Sequence, residues 1–200
     1  MVKLFKLLRR VIIHKFWVAY YCFQLGLYWQ GITHDLSKFS LTEIKGALKY
    51  WHDSKSSLAY EKELNGYSAT FLHHRGRNPH HYEYWIHSLD EGGIPAEMPR
   101  KYVLELICDY LAACRTYGGD PREEINWWLK VSPKMKMHET TKKYITSVFS
   151  NYAIAPRRPG GDPGFPKRNR LIWAVACADD YVLGINYSKF YPNYKKFSCK

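Results

Sequence analysis

Cysteine is sparse and unpaired in this 200-residue chain. Cys22, Cys108, Cys114, Cys177 and Cys199 are odd in number and form no C-x-x-C pair, so neither a disulfide framework nor a zinc knuckle is implied. That usage fits a reducing cytoplasm, which is the expected location. Acidic residues are scarce too: 18 Asp and Glu face 30 Lys and Arg, for a formal net charge of +12. Such an excess concentrates anions, so phosphates, nucleotides, nucleic acid and acidic lipid are candidate partners; a solvated basic surface is the bland alternative. No long uninterrupted apolar run exists. Val11–Ile13 are followed at once by His14 and Lys15, and the uncharged run from Phe16 to Thr33 carries Gln24, Gly26, Gln30 and Gly31. A spanning helix needs about 20 mostly apolar residues. No small-residue cleavage site follows the basic Lys3, Lys6, Arg9 and Arg10, which argues against a signal peptide. The expectation is a long buried core helix and no membrane span, with a membrane-associated first helix as the alternative. There is no internal repeat.

What is present suffices for a sizeable core: 46% hydrophobic and 16% aromatic residues, with 17 Tyr and 7 Trp whose polar tips need partners when buried. Residues 1–155 read as one helical domain. The apolar pattern Leu4, Leu8, Val11, Ile12, Phe16, Ala19, Phe23 and Leu27 predicts a helix over 3–29, ended by Gly31. Ser40-Leu41-Thr42-Glu43 is a capping box that opens a helix to about Asp53. Residues 54–66 are polar and turn at Asn65-Gly66. A short helix is expected from Ser68 to His74, then a loop at Arg75-Gly76-Arg77. Asn78-Pro79 reads as the start of a helix through Leu89, with His80 and His81 in its first turn. The clearest helix runs from Pro99 to Tyr117, stopped by Gly118-Gly119. Two more follow, from Asp120-Pro121 to Val131 and over 139–152. Residues 156–200 form a second segment, a basic Pro/Gly-rich linker and a C-terminal extension. There Leu171–Ala178 and Tyr181–Tyr187 flank Asp179-Asp180 and read either as a β-hairpin or as a helix.

The chemistry gathers around His34-Asp35-Leu36-Ser37-Lys38. His14 lies before it; His73, His74, His80, His81, Glu105 and Asp109 lie after it. Neutral imidazoles and carboxylates held on rigid elements are what divalent transition metals require. Glu105 and Asp109, four apart on one helix, share a face. Asp109 in an apolar helix demands a partner, either a metal or a buried salt bridge to Arg115 or Lys101. The alternative for Asp35 is helix capping. For the histidine pairs the alternatives are a surface cluster or phosphate contacts; His74 and His81 are the preferred ligands.

The order His, His-Asp, His, His-His, Asp resembles the HD-domain superfamily of metal-dependent phosphohydrolases, and His-Asp-Leu-Ser-Lys is similar to its His-Asp-x-x-Lys turn. More closely, residues 8–150 resemble a family of bacterial and phage proteins known only as a domain of unknown function. That likeness rests on His34–Phe39, Asn78-Pro79-His80-His81-Tyr82-Glu83-Tyr84-Trp85 and Glu105-Leu106-Ile107-Cys108-Asp109. The superfamily resemblance implies an all-α, HD-like bundle with His14, His34, Asp35, His74, His81 and Asp109 as ligands of one or two ions, Mn, Fe, Co, Zn or Mg. Glu105 would be a ligand or an acceptor behind a histidine. Asp35 and Lys38 would be catalytic, and Lys38, Arg75 and Arg77 would hold a phosphate-containing small molecule. The expected function is phosphohydrolysis of a nucleotide or other phosphate ester. An HD-type di-iron oxygenase and a non-catalytic module for nucleic acid or a protein partner are the alternatives.

Overall fold

The computed structural model describes residues 2–155 and 169–184. The expected all-α class holds. Helix α1 (Val2–Gln24) is followed by α2 (Tyr28–Thr33), α3 (Leu41–Lys49), α4 (Ser57–Asn65) and α5 (Ala69–Arg75). A two-residue antiparallel pairing of β1 (Ile86–His87) with β2 (Ile94–Pro95) interrupts the helices. Then come α6 (Arg100–Thr116), α7 (Glu124–Val131), α8 (Glu139–Ile154) and α9 (Arg170–Leu183). Of the segments Leu171–Ala178 and Tyr181–Tyr187, for which hairpin and helix were both open, residues 171–178 and 181–183 are helical, and 185–187 lie outside the described residues. Asn169 caps this helix, accepting from the amides of Leu171 and Ile172.

The core lies where α1, α6, α7, α8 and α9 meet. Ile107, Leu111, Trp128, Ile145, Phe149 and Leu171 are almost fully buried there. Apolar burial of this kind drives such a fold. Trp128 satisfies its indole N–H with the Thr146 hydroxyl at 2.7 Å. At the other end of the core, Asp179 is fully buried and accepts from Arg100 Nε at 3.0 Å and from Tyr144 at 2.6 Å.

Four sequence expectations need correction. The first helix does not run to residue 29. It ends at Gln24, and Gly26 takes a left-handed φ of +73°, a conformation only glycine adopts freely. The chain then folds back as α2. Gly31 does not end the helix but lies inside α2, where a Cβ would sit 2.8 Å from the Phe23 ring. The polar stretch 54–66 contains α4, capped by the Ser56 hydroxyl and closed by Gly66 at φ +79°; its shortage of apolar residues hid it. Finally, no helix follows Asn78-Pro79. Residues 82–85 form a single 3-10 turn and His81 is extended. Neighbouring residues on an α-helix point about 100° apart, whereas here His80 and His81 both turn toward the same centre.

Candidate metal centre

Five segments deliver the side chains. α1 packs against α6 and presents His14, whose Nε2 lies 2.9 Å from Asp109 Oδ1 of α6. The chain leaving α2 brings in His34 and Asp35. Asp35 has a left-handed backbone, φ 54° and ψ 29°. That conformation is uncommon outside glycine, though aspartate tolerates it best after asparagine. Its carboxylate makes no capping hydrogen bond to the 3-10 turn that follows, so the capping alternative fails. Instead Oδ2 pairs with Lys38 Nζ at 2.6 Å, and Oδ1 lies 3.2 Å from His74 Nε2 and 3.4 Å from His80 Nε2. α5 carries His74, and the loop after it carries His80 and His81.

A second ring of acceptors sets the direction of these imidazoles. Glu105 Oε1 accepts from Nδ1 of both His34 and His80, at 3.0 and 3.2 Å. Glu43 Oε2 accepts from His74 Nδ1 at 2.9 Å. Each bond fixes the tautomer and leaves Nε2 facing inward, the arrangement that orients metal-binding histidines. Ser37 Oγ also lies 3.1 Å from His74 Nδ1, and Asn78 Nδ2 donates to Ser37 Oγ at 2.8 Å and to the His74 carbonyl at 2.7 Å. Lys15 Nζ donates to the carbonyls of Ile32 and His34, at 2.6 and 2.7 Å, which ties the His34 backbone to α1.

The inward-facing atoms fit a metal. Nε2 of His14, His34, His80 and His81, and Oδ1 of Asp35, are buried without a well-formed hydrogen bond. Carboxylate oxygens lie close to several of them but are misaligned for donation. Leaving buried polar atoms unsatisfied costs about 1–3 kcal/mol each, so five in one place require an explanation. Among the described residues, three groups bring their ligand atoms within 4.8 Å of one another: Asp35 with His74, His80 and His81; His14 with His34 and Asp35; and His34 with His80 and Asp109. Five imidazoles and two carboxylates suit a divalent transition metal, and Asp35 belongs to two of the groups.

Without a metal, protons and Lys38 balance the carboxylates. Burial opposes a charged His34, but Asp35, Asp109 and Glu105 outweigh it and raise its pKa well above the ordinary value. Burial likewise opposes a charged His74, yet Asp35 and Glu43 lift it to about 9. Burial also works against ionised Asp35 and Asp109, but His34 with Lys38, and His14 with His34, hold them well below the usual carboxylate range. His81 goes the other way. Burial, then the neighbouring His80 and His74, keep it neutral, with an unpartnered Nε2.

Every residue expected as a ligand, His14, His34, Asp35, His74, His81 and Asp109, lines this centre, and His80 joins them. His73 does not: its ring is turned to the outer oxygen of Glu43, at 3.1 Å. Glu105 stands behind His34 and His80. Asp109 pairs with His14 rather than with the alternatives: Arg115 donates to Tyr21 and Lys101 lies over Tyr102. Glu43 escaped notice because its capping-box position explained it. The Ser40 hydroxyl does accept from the Glu43 amide at 3.3 Å, but the Glu43 side chain turns to the histidines instead of closing the box.

The centre opens to a pocket of about 220 Å³ between α1, α3, α4 and α6, with His14, Lys38 and Asp109 in its wall. Leu7, Val11, Ala47, Leu58 and Ala113 make much of the rest, and Arg10 and Tyr117 also line it. The Arg10 guanidinium sits over the Trp51 ring, 4.6 Å from its centroid. Arg75 and Arg77, expected to hold phosphate, do not line this pocket; Arg77 is exposed and reaches the His73 carbonyl at 3.4 Å.

Fold and centre together define an all-α protein that buries a histidine–carboxylate cluster with the chemistry of metal ligands. By sequence the chain belongs to the family of unknown function DUF5662, which matches residues 3–151. That span contains every side chain of the centre. No curated protein and no solved structure matches the chain.

Proposed function

We propose that this protein is a metal-dependent phosphohydrolase acting on a small phosphate ester, a nucleotide among the candidates. One observation carries the reading: seven ligand-type side chains converge beside a pocket whose wall holds both Lys38 and Arg10. His14, His34, Asp35 and Asp109 would hold one ion, and Asp35, His74, His80 and His81 a second, with Asp35 shared. The bound ions would supply a water of lowered pKa and neutralise charge on the phosphoryl oxygens. The protein's own groups do the rest. Glu105 and Glu43 keep the imidazoles in the ligating tautomer. Lys38 holds the Asp35 carboxylate in place and presents a cation at the pocket wall; burial opposes its charge, but Asp35 and Asp109 keep it protonated. Arg10, in the same wall, would anchor an anionic group, since a guanidinium is suited to phosphate. The pocket lies below the usual 300–1,000 Å³ of ligand sites, which favours a small ester over a polymer. The order of the ligands along the chain, with the His-Asp-x-x-Lys turn, is in keeping with the HD superfamily.

The experiment is hydrolysis by the purified protein loaded with Mn, Mg, Co or Fe, against a panel of nucleotides and simple phosphomonoesters. Metal-dependent release of phosphate that Asp35→Ala abolishes is the expected result; release unaffected by that substitution would refute it. The imidazole-rich second group gives one further reading, a di-iron oxygenase. Oxygen uptake by the iron-loaded protein, with no phosphate release, would favour it.

A further inference from the structure

α1 has two faces with different work. At about 100° per residue, Leu7, Arg10, Val11 and His14 point to the pocket and the centre. The stripe Phe5, Ile12, Phe16 and Phe23, with Arg9 within it, points about 180° away and is exposed. α2 extends this stripe. It folds back so that Tyr28 meets the Phe23 ring, with centroids 5.4 Å apart, and it leaves Trp29 and Ile32 exposed at 72% and 55%. A contiguous exposed surface of large aromatic and aliphatic side chains is not left bare without reason in a soluble fold; it marks an interaction site.

The charge around it selects the occupant. Arg9 lies within the stripe, and Lys6 and Lys15 stand at its edges, roughly 100° and 80° round α1; Lys6 pairs with Asp53 and Lys15 donates to the carbonyls of Ile32 and His34, and no Asp or Glu occurs from residue 1 to His34. The whole chain carries +12, so a second copy would bring like charge to a basic face. Residues 185–200 would do the same, with Lys189, Lys195, Lys196 and Lys200 and no acid. Aromatic side chains flanked by lysine and arginine suit the interface of an anionic lipid bilayer: the rings sit at headgroup depth, and the long basic stems reach out to phosphates. Among the described residues no helix is long and apolar enough to cross a membrane, so the contact would be peripheral. We infer that the outer face of α1 and α2 docks the protein on an anionic membrane surface. In that pose the pocket opens on the opposite side of α1, free to bind a ligand from solution.

Flotation of the full-length protein with phosphatidylcholine vesicles, with and without phosphatidylglycerol, tests the inference. Binding to the anionic vesicles, weakened by salt and small on pure phosphatidylcholine, is expected. Phe16→Glu and Ile32→Glu should each lower partitioning about tenfold or more, the scale of one buried large side chain. Helicity and metal content should stay unchanged, which keeps the result separate from the reading of the metal centre. Arg9→Glu should weaken anionic binding while leaving the apolar stripe intact. Three results would overturn the inference: no flotation with either vesicle, a dimer in light scattering that Phe16→Glu dissociates, or capture of an acidic soluble protein by this face without vesicle binding.

Discussion

Glu105→Gln separates a histidine-orienting role from a ligating one. One oxygen of Glu105 accepts from two imidazole N–H groups, at 3.0 and 3.2 Å, and the residue is 5% exposed. Glutamine keeps the shape and an acceptor but removes the charge. Bonds to a charged group contribute about 1.5–3 kcal/mol and neutral ones about 0.5–1.5. Two bonds weakened by about 1 kcal/mol each come to about 2 kcal/mol, or roughly thirtyfold in metal affinity at 1.4 kcal/mol per tenfold. That falls within the 10–100-fold range typical of groups behind the ligands. Competition with a chromophoric chelator at neutral pH, alongside circular dichroism to confirm folding, measures it. Wild-type affinity in Glu105→Gln would refute the reasoning. A loss as large as that of Asp109→Asn would instead make Glu105 a ligand.

Other consequences follow from the same geometry. Gly46→Ala places a Cβ 2.0 Å from Thr70 Oγ1, where α3 meets α5, so it should destabilise by about 1–3 kcal/mol in a denaturant titration. Chelator-treated protein should have a distinctive pH profile. The folded-state pKa of His74 is raised from 6.5 to about 9, so its stabilising contribution is full below pH 6.5 and lost as pH rises through about 9. Denaturant midpoints across that window should fall. Metal uptake, which displaces those protons, should release acid and tighten with rising pH; calorimetry in buffers of differing ionisation enthalpy reads the release. Arg10→Ala should leave metal content unchanged and raise KM for a phosphate ester about tenfold or more, as expected for one charge-assisted contact.

The parts of the centre set on long helices were legible in the sequence. His14 and Asp109 sit in strong apolar periodicity, where a buried imidazole or carboxylate needs a partner, and the His34-Asp35 pair marked their meeting point. What escaped lay in irregular backbone. The reversal at Gly26 depends on one residue's left-handed freedom inside an otherwise helical pattern. Asn78-Pro79 has the chemistry of a helix start, yet the Asn78 side chain donates to Ser37 Oγ and the His74 carbonyl, and the chain turns there so that both His80 and His81 enter. Arg75 and Arg77 follow His73 and His74 in sequence, but neither lines the pocket. Arg10 went unassigned as a pocket residue because a basic residue near a chain start reads as surface. Glu43 had already been given a role by its cap.

The central claim is that the buried cluster holds divalent ions through Asp35, and elemental analysis tests it most directly. Protein loaded with Mn, Fe, Co or Zn and then desalted should retain about one to two ions per chain, and Asp35→Asn, which keeps the left-handed backbone, should retain almost none. Folded wild-type protein that emerges from the column with no bound metal would contradict the account.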